Sequence, residues 1–281
     1  MDVDEYLKRI NSVDLKQVSI ENLRLLQANH LKHVAFENFD IHLGKHIKFS
    51  PEAAFKKIVK LFRGGYCFEL NSLFAWLLDK LGYEVNFIAC YYFNAKTNEY
   101  SKSTFHLALV VLLNETKYYV DVGIAKPMLR FPLKLKPFEV QDQCYEVFRF
   151  NLDQNVKSTM MFVLERQNFQ EFWTPIVKFN LKSYEMKELE SLNEIVQTDQ
   201  FPSFYNHTIC VKHFEFGLIM LVDLKYTEIY FDENLIEHRK ETMLNFDESL
   251  FILRNKFGIS ILGDSYDLDA YKDRIILKRF F

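Results

Sequence analysis

Apolar residues recur three or four positions apart through the first third of the chain, which predicts helices over Val3–Ile10, Ile20–Lys32 and Pro51–Leu61. Ser50 is placed to cap the third of these, with Pro51 at its first position. A fourth helix follows Arg63-Gly64-Gly65-Tyr66-Cys67-Phe68-Glu69-Leu70-Asn71, with Leu70, Leu73, Phe74, Leu77 and Leu78 at helical spacing and Gly82 as its stop. Val34–Ile41 breaks the helical pattern ahead of a loop at Gly44. At Val85 the period changes. Val85–Phe93 is β-branched and aromatic, and Phe105–Leu113 with Lys117–Val122 predicts a hairpin around Asn114-Glu115-Thr116. Further strands are expected over Cys144–Phe150, Met160–Leu164 and Ile176–Leu181. A helix from Ser183 to Val196 comes next, and then strands at Thr208–Val211, Gly217–Leu224 and Glu228–Phe231. A last helix over Asp247–Phe257 meets Gly258 and is followed by a strand-like Ile259–Leu262. The sum is an α+β chain whose consecutive short strands argue for an antiparallel sheet curled into a barrel or sandwich.

Composition adds exclusions. A chain of 281 residues predicts two or three modules, and 49% apolar residues supply a sizeable core. A net charge of -3 with mixed signs leaves no basic footprint for a nucleic acid or a membrane surface. The acidic start lacks the order of a signal peptide, and no apolar run approaches the roughly 20 residues needed to span a bilayer, so a cytoplasmic location is expected. The four cysteines are widely spaced with no C-x-x-C pair, which argues against a disulfide framework and a zinc site; no metal is expected.

Cys67 stands where a helix begins. Unpaired N–H groups and the positive end of the helix dipole favour a thiolate there, and Gly64 and Gly65 free the backbone to approach a bound carbonyl. Of the eight histidines, His30, His33, His42, His46, His207, His213 and His238 lie in polar sequence and are expected to be solvated or locally bonded. His106 differs, because it interrupts the apolar run Phe105–Val111, where an unpaired imidazole is costly to bury. A two-residue turn at Asn114-Glu115 sets His106 opposite Gly123 and diagonal to Asp121 on one face, about 7–8 Å away at Cα. A slip of one residue would separate them. Nucleophile, base and orienter are then available as Cys67, His106 and Asp121. The plainer alternative is a core histidine satisfied by a carboxylate and a buried packing cysteine. Cys90, Cys144 and Cys210 are expected to be packing residues.

Arg63–Asn71, Phe36-Glu37-Asn38, the His106 strand and Val120-Asp121-Val122-Gly123 together resemble the arylamine N-acetyltransferase family, in order and in approximate spacing. The likeness extends to Leu192-Asn193, Gln197-Thr198 and Phe257-Gly258-Ile259-Ser260. The resemblance implies a helical bundle over 1–84 carrying the nucleophile and a central antiparallel β-barrel over 85–186 carrying His106 and Asp121. An α/β lid over 187–281 completes a cysteine-protease-like core. It further implies a two-step transfer: Cys67 takes acetyl from acetyl-CoA, and an arylamine, arylhydrazine or N-hydroxyarylamine takes it from Cys67. Arg63 resembles the family arginine that ties the nucleophile loop to Phe36-Glu37-Asn38. Phe36 is implied in the acceptor pocket, Ser103 and Thr104 in contact with coenzyme A, and the protein as a monomer or weak homodimer.

One departure bears on specificity. Ile124 stands where the family carries an aromatic ring beside the acceptor, removing a stacking partner worth about 0.5–1.5 kcal/mol. Ala125 stands in place of a glycine and is strained if the position needs a positive φ. Lys102 and Lys126 are solvated lysines or partners of the coenzyme A phosphates. The same triad also serves a cysteine hydrolase or a transglutaminase-like acyl transferase, and a binding module retaining an old site is the non-catalytic alternative.

Overall fold

The structure is a computed structural model and describes residues 1–153, 160–167, 171–260 and 272. Helix α1 (Val3–Arg9) is capped by Asp2, and α2 (Ile20–His33) by Ser19, whose hydroxyl accepts from the Asn22 N–H at 3.0 Å. A short strand β1 (Phe36–Glu37) and one turn of helix, α3 (Phe39–His42), follow. Helix α4 (Pro51–Phe55) begins at the expected Ser50 cap and Pro51, then widens into a π-helical turn over Lys56–Lys60. Helix α5 (Cys67–Leu81) starts at the cysteine and stops at Gly82, whose φ of 96° is the left-handed C-cap that glycine supplies cheaply. All of Leu70, Leu73, Phe74, Leu77 and Leu78 are buried, so the face read from the spacing is the face that packs.

The strand region closes on itself. Strands β2 (Glu84–Asn94), β3 (Glu99–Tyr100), β4 (His106–Leu113), β5 (Thr116–Val120) and β6 (Leu133–Lys134) lead to β7 (Gln141–Asp142), β8 (Val147–Asp153), β9 (Met161–Gln167) and β10 (Trp173–Phe179). The order β6-β5-β4-β2-β10-β9-β8-β7 is antiparallel throughout, with β3 paired to β2. Its two ends meet through a side chain. The Gln141 carboxamide accepts from the Lys134 N–H at 2.8 Å and donates to the Lys134 carbonyl at 2.9 Å, so the barrel is nearly closed. Tyr119, Phe148, Phe150, Phe162 and Phe179 fill it. The β4–β5 turn is the expected two-residue one: Leu113 pairs with Thr116, and Asn114 and Glu115 both carry positive φ.

The last segment is a second sheet with helices. It comprises α6 (Met186–Val196), α7 (Pro202–Asn206), β11 (Ile209–Phe214), β12 (Gly217–Val222), β13 (Lys225–Phe231), β14 (Glu237–Met243) and α8 (Phe246–Ile252), which runs into a π-helical turn ending at Gly258. The order is β1-β11-β12-β13-β14, so Phe36–Glu37 is borrowed from the first third as its edge, with Phe36 opposite Val211. Helix α6 begins later than expected. Its cap is Glu185, with Glu188 reaching back to the Glu185 N–H at 2.9 Å, while the Ser183 hydroxyl bonds Asn86 instead. Strand β14 escaped the sequence reading because it is an exposed edge rich in charge. Ile259 and Ser260 form no strand, and Ile261 and Leu262 lie outside the described residues. Of the histidines expected to be solvated or locally bonded, His30, His42 and His213 are buried, His30 bonding the Tyr6 hydroxyl and His42 the Phe204 and His207 carbonyls, and Cys144, expected to pack, is exposed. Among the described residues, no helix is long and apolar enough to cross a membrane.

Candidate active site

The start of α5 is held against β1 by glycine. A Cβ on Gly64 would lie 2.1 Å from the Ala35 carbonyl oxygen, so only a bare backbone fits. Gly65 is bridged to Phe36, and its carbonyl accepts from the Glu37 N–H at 2.8 Å. Beneath this loop sits a buried ionic cluster. Arg63 donates from Nη2 to Glu37 at 2.8 Å and to Asp40 at 3.0 Å, while Lys57 reaches Asp40 at 2.9 Å and Glu69 at 3.0 Å. Glu69 also accepts from the Tyr66 N–H at 3.2 Å, fixing the first turn of α5. Burial pushes the Glu69 carboxyl up to about 7 despite the neighbouring Lys57.

Cys67 is buried at the first position of α5, with Sγ 3.9 Å from the Phe105 carbonyl oxygen and close enough to His106 to raise its imidazole pKa. His106 opens β4, opposite Cys90 on β2. Its Nε2 lies 2.6 Å from Asp121 Oδ2, which leaves Nδ1 for the sulfur. An ionised carboxylate only accepts, so the proton on the Asp121 side sits on Nε2. Burial alone would lower the imidazole. The Asp121 charge and hydrogen bond, with the sulfur beyond them, outweigh it and push His106 up to about 10. Burial likewise would raise Asp121, but the His106 charge and its hydrogen bonds hold the carboxyl below its usual range.

Asp121 is saturated with donors. Oδ2 takes His106 and the Tyr119 hydroxyl at 2.8 Å; Oδ1 takes Asn71 Nδ2 at 2.9 Å and the Gly123 N–H at 2.8 Å. Asn71, one turn beyond Cys67 on α5, also donates to the Leu107 carbonyl at 2.7 Å and accepts from the Val122 N–H at 3.0 Å. One side chain thus stitches the cysteine's helix to the strands of both partners.

These groups form the floor of a cavity of about 1170 Å³. Phe36, Phe105, Phe201, Phe204, Val211 and Met220 make an apolar wall, and Lys96, Lys102, Ser103 and Lys126 line it on the polar side. Phe204 meets Phe36 edge-on at 5.7 Å and Phe201 at 4.7 Å. Of the residues singled out from sequence, Cys67, His106, Phe36, Ser103 and Ile124 line this cavity; Asp121 lies behind His106, and Thr104 is not a lining residue. Ala125 is not among the residues with positive φ, so the replacement of glycine brings no backbone strain. Sequence reasoning missed Asn71, Tyr119, Phe201 and Phe204. Asn71 and Tyr119 had a legible signal, since each lies in a motif already singled out; Phe201 and Phe204 fall at the start of and within the short helix α7, which the sequence reading did not predict.

A helical first third feeding its helix-borne cysteine to the mouth of a nearly closed antiparallel barrel is the architecture of the cysteine-protease-like acetyltransferases. A family model described as N-acetyltransferase matches residues 19–265. The chain is 28% identical to arylamine N-acetyltransferase 2 of Mus musculus, over 93% of this chain and 95% of that one. It superposes with a TM-score of 0.87 on the arylamine N-acetyltransferase of Mycobacterium abscessus, at 24% identity, covering 98% of this chain and 95% of the other. The Mycobacterium marinum enzyme in complex with CoA gives 0.85 at 24% identity, with 98% of each chain covered. The chain belongs to the arylamine N-acetyltransferase family and is an acetyltransferase.

Proposed function

We propose that Cys67 carries acetyl from acetyl-CoA to a small aromatic amine, with His106 as base and Asp121 as orienter. One arrangement supports this reading: a buried imidazole, gripped by a carboxylate on Nε2 and facing the Cys67 sulfur with Nδ1, at the floor of a large cavity. In the first step the sulfur attacks the acetyl carbonyl, the bond to coenzyme A sulfur breaks, and the proton on Nδ1 leaves with the thiol product. In the second the acceptor nitrogen attacks the Cys67 thioester, Nδ1 takes its proton, and the thiolate–imidazolium pair is restored. The aromatic wall suits arylamines, arylhydrazines or N-hydroxyarylamines, with Phe36 and Ile124 against the ring. For coenzyme A, bound by the Mycobacterium marinum relative, we place the contact at Ser103, with Thr104 beside it and Lys102 and Lys126 near the phosphates.

Intact-protein mass spectrometry after mixing with acetyl-CoA tests this. One acetyl group is expected, mapped to Cys67, discharged by an added aromatic amine and absent from Cys67→Ala. Amine acetylation by Cys67→Ala would sink the assignment. An adduct discharged by water at the same rate with or without amine would make the enzyme a hydrolase.

A further inference from the structure

Asp121 Oδ2 serves two donors. His106 Nε2 reaches it at 2.6 Å from β4, and the Tyr119 hydroxyl reaches it at 2.8 Å from β5. Tyr119 and Asp121 are two residues apart, so both point into the barrel. The phenol is fully buried, and its ring is clamped between Phe179, stacked at 5.3 Å, and Phe150, edge-on at 5.9 Å. The phenol proton goes to Asp121, which as a carboxylate only accepts. Tyr119 and His106 therefore rest on the same carboxylate oxygen. Burial and the Asp121 charge keep the phenol a neutral donor, well above its usual titration range.

We propose that Tyr119 is a positioning residue whose hydroxyl, by sharing Asp121 Oδ2 with His106, sets how tightly the imidazole holds its proton while acetyl passes to the acceptor. This rests on the acetyl-transfer reading above and deepens it. The titratable groups around the pair are Cys67 from α5, Cys90 from β2 and Tyr119 from β5. In the free enzyme the Cys67 sulfur helps hold the proton on His106. Once that sulfur is a thioester its charge is gone, and the Asp121 carboxylate is left to oppose burial in setting the basicity of the ring. A donor on Oδ2 spreads the carboxylate charge and weakens its hold on the imidazolium proton; losing the donor strengthens that hold. The acetyl-enzyme needs neutral His106. The acceptor nitrogen bonds the carbonyl carbon, the carbon–sulfur bond breaks, and the nitrogen's proton goes to Nδ1.

Tyr119→Phe tests the idea, because it keeps the stacked ring and deletes one oxygen. The rise of acceptor kcat/KM with pH is expected to move upward by about half to one unit, and turnover on the acid side of that rise to fall about 3–10-fold. The amount of acetyl loaded onto Cys67 should be unchanged. A second readout does not need turnover: the NMR titration of the His106 ring should move upward in the variant, with Cys67 alkylated in both proteins to mimic the acylated sulfur. A lower melting temperature with both pH curves unmoved would overturn the proposal and leave Tyr119 as packing. Failure to load acetyl on the wild-type Cys67 would overturn the acetyl-transfer reading instead, and the His106 titration would still decide the role of Tyr119.

Discussion

Gly123 lies so close to the first turn of α5 that a Cβ on it would fall 2.6 Å from the Cα of Cys67. The same atom would sit 2.7 Å from Asn71 Nδ2, the nitrogen that bonds Asp121 and the Leu107 carbonyl. Backbone contact between the cysteine's helix and the segment after Asp121 therefore depends on the absence of a side chain at this position. That is a different use of glycine from Gly82, where the dihedral angle is what matters.

Gly123→Ala should then separate Cys67 from His106 by driving α5 off the barrel. Overpacking of this kind costs about 1–3 kcal/mol, whereas displacing reacting groups by about 1 Å costs on the order of 100-fold in rate. The expected outcome is a modest drop in urea midpoint beside a loss of about 100-fold in kcat/KM. Near-normal turnover would show that the contact does not set the catalytic distance.

Asp121→Asn meets a different problem. All four bonds to Asp121 come from donors, namely His106, Tyr119, Asn71 and Gly123, so the carboxamide NH2 faces N–H or O–H groups whichever way it turns. Leaving buried donors unanswered costs about 1–3 kcal/mol, and mis-setting the imidazole tautomer costs on the order of 10⁴ in rate. Both losses are expected, in chemical denaturation and in kcat respectively. Unchanged kinetics would remove Asp121 from the machinery.

Arg63 is 2% exposed and neutralises two carboxylates under the loop that leads into Cys67. Arg63→Met removes that charge and leaves Glu37 and Asp40 with Lys57 as the remaining cation among the described contacts of the cluster. Breaking such a buried pair typically costs about 3–5 kcal/mol. The loss should appear as a lower urea midpoint, and Glu37→Gln in the same chain should recover part of it. Additive losses in the double variant would mean that the two side chains act independently.

Helices α1, α2, α4 and α5 and the β4–β5 hairpin were legible because each obeyed a local rule. Pro51 and Gly82 mark helix ends by their own backbone limits, and Asn114-Glu115 fixes a two-residue turn, so the pairing of His106 with Asp121 followed from register alone. What stayed hidden was set by distant chain. Phe36–Glu37 is a strand only because Val211 and Cys210 arrive beside it. The seam of the barrel is a Gln141 side chain, which carries no periodic signal. His30 and His213 looked polar from their sequence neighbours but are enclosed by other elements, and burial holds them down at about 3 and about 4. The phenol of Tyr119 could be read as one more core aromatic until the barrel showed where its oxygen points.

The His106–Asp121 pair also writes itself into stability as a function of pH. His106 is raised from 6.5 to about 10 on folding, so between those values the folded chain holds a proton that the unfolded chain has released. Its contribution is whole below about pH 6.5 and declines as the pH climbs toward about 10. Asp121 runs the other way. Its pKa is lowered from 3.8, so its contribution is whole above about pH 4 and fades as acid carries the pH through the depressed value. Other buried groups titrate in the alkaline range, Lys57 and Tyr119 among them, so the wild-type curve alone mixes several effects. The difference between wild type and His106→Gln isolates the pair. That gap in melting temperature should be widest near about pH 6 and shrink steadily toward about pH 10. A gap that stays constant over the range would mean that His106 gains no protons on folding, and that the carboxylate behind it does not hold the imidazole charged.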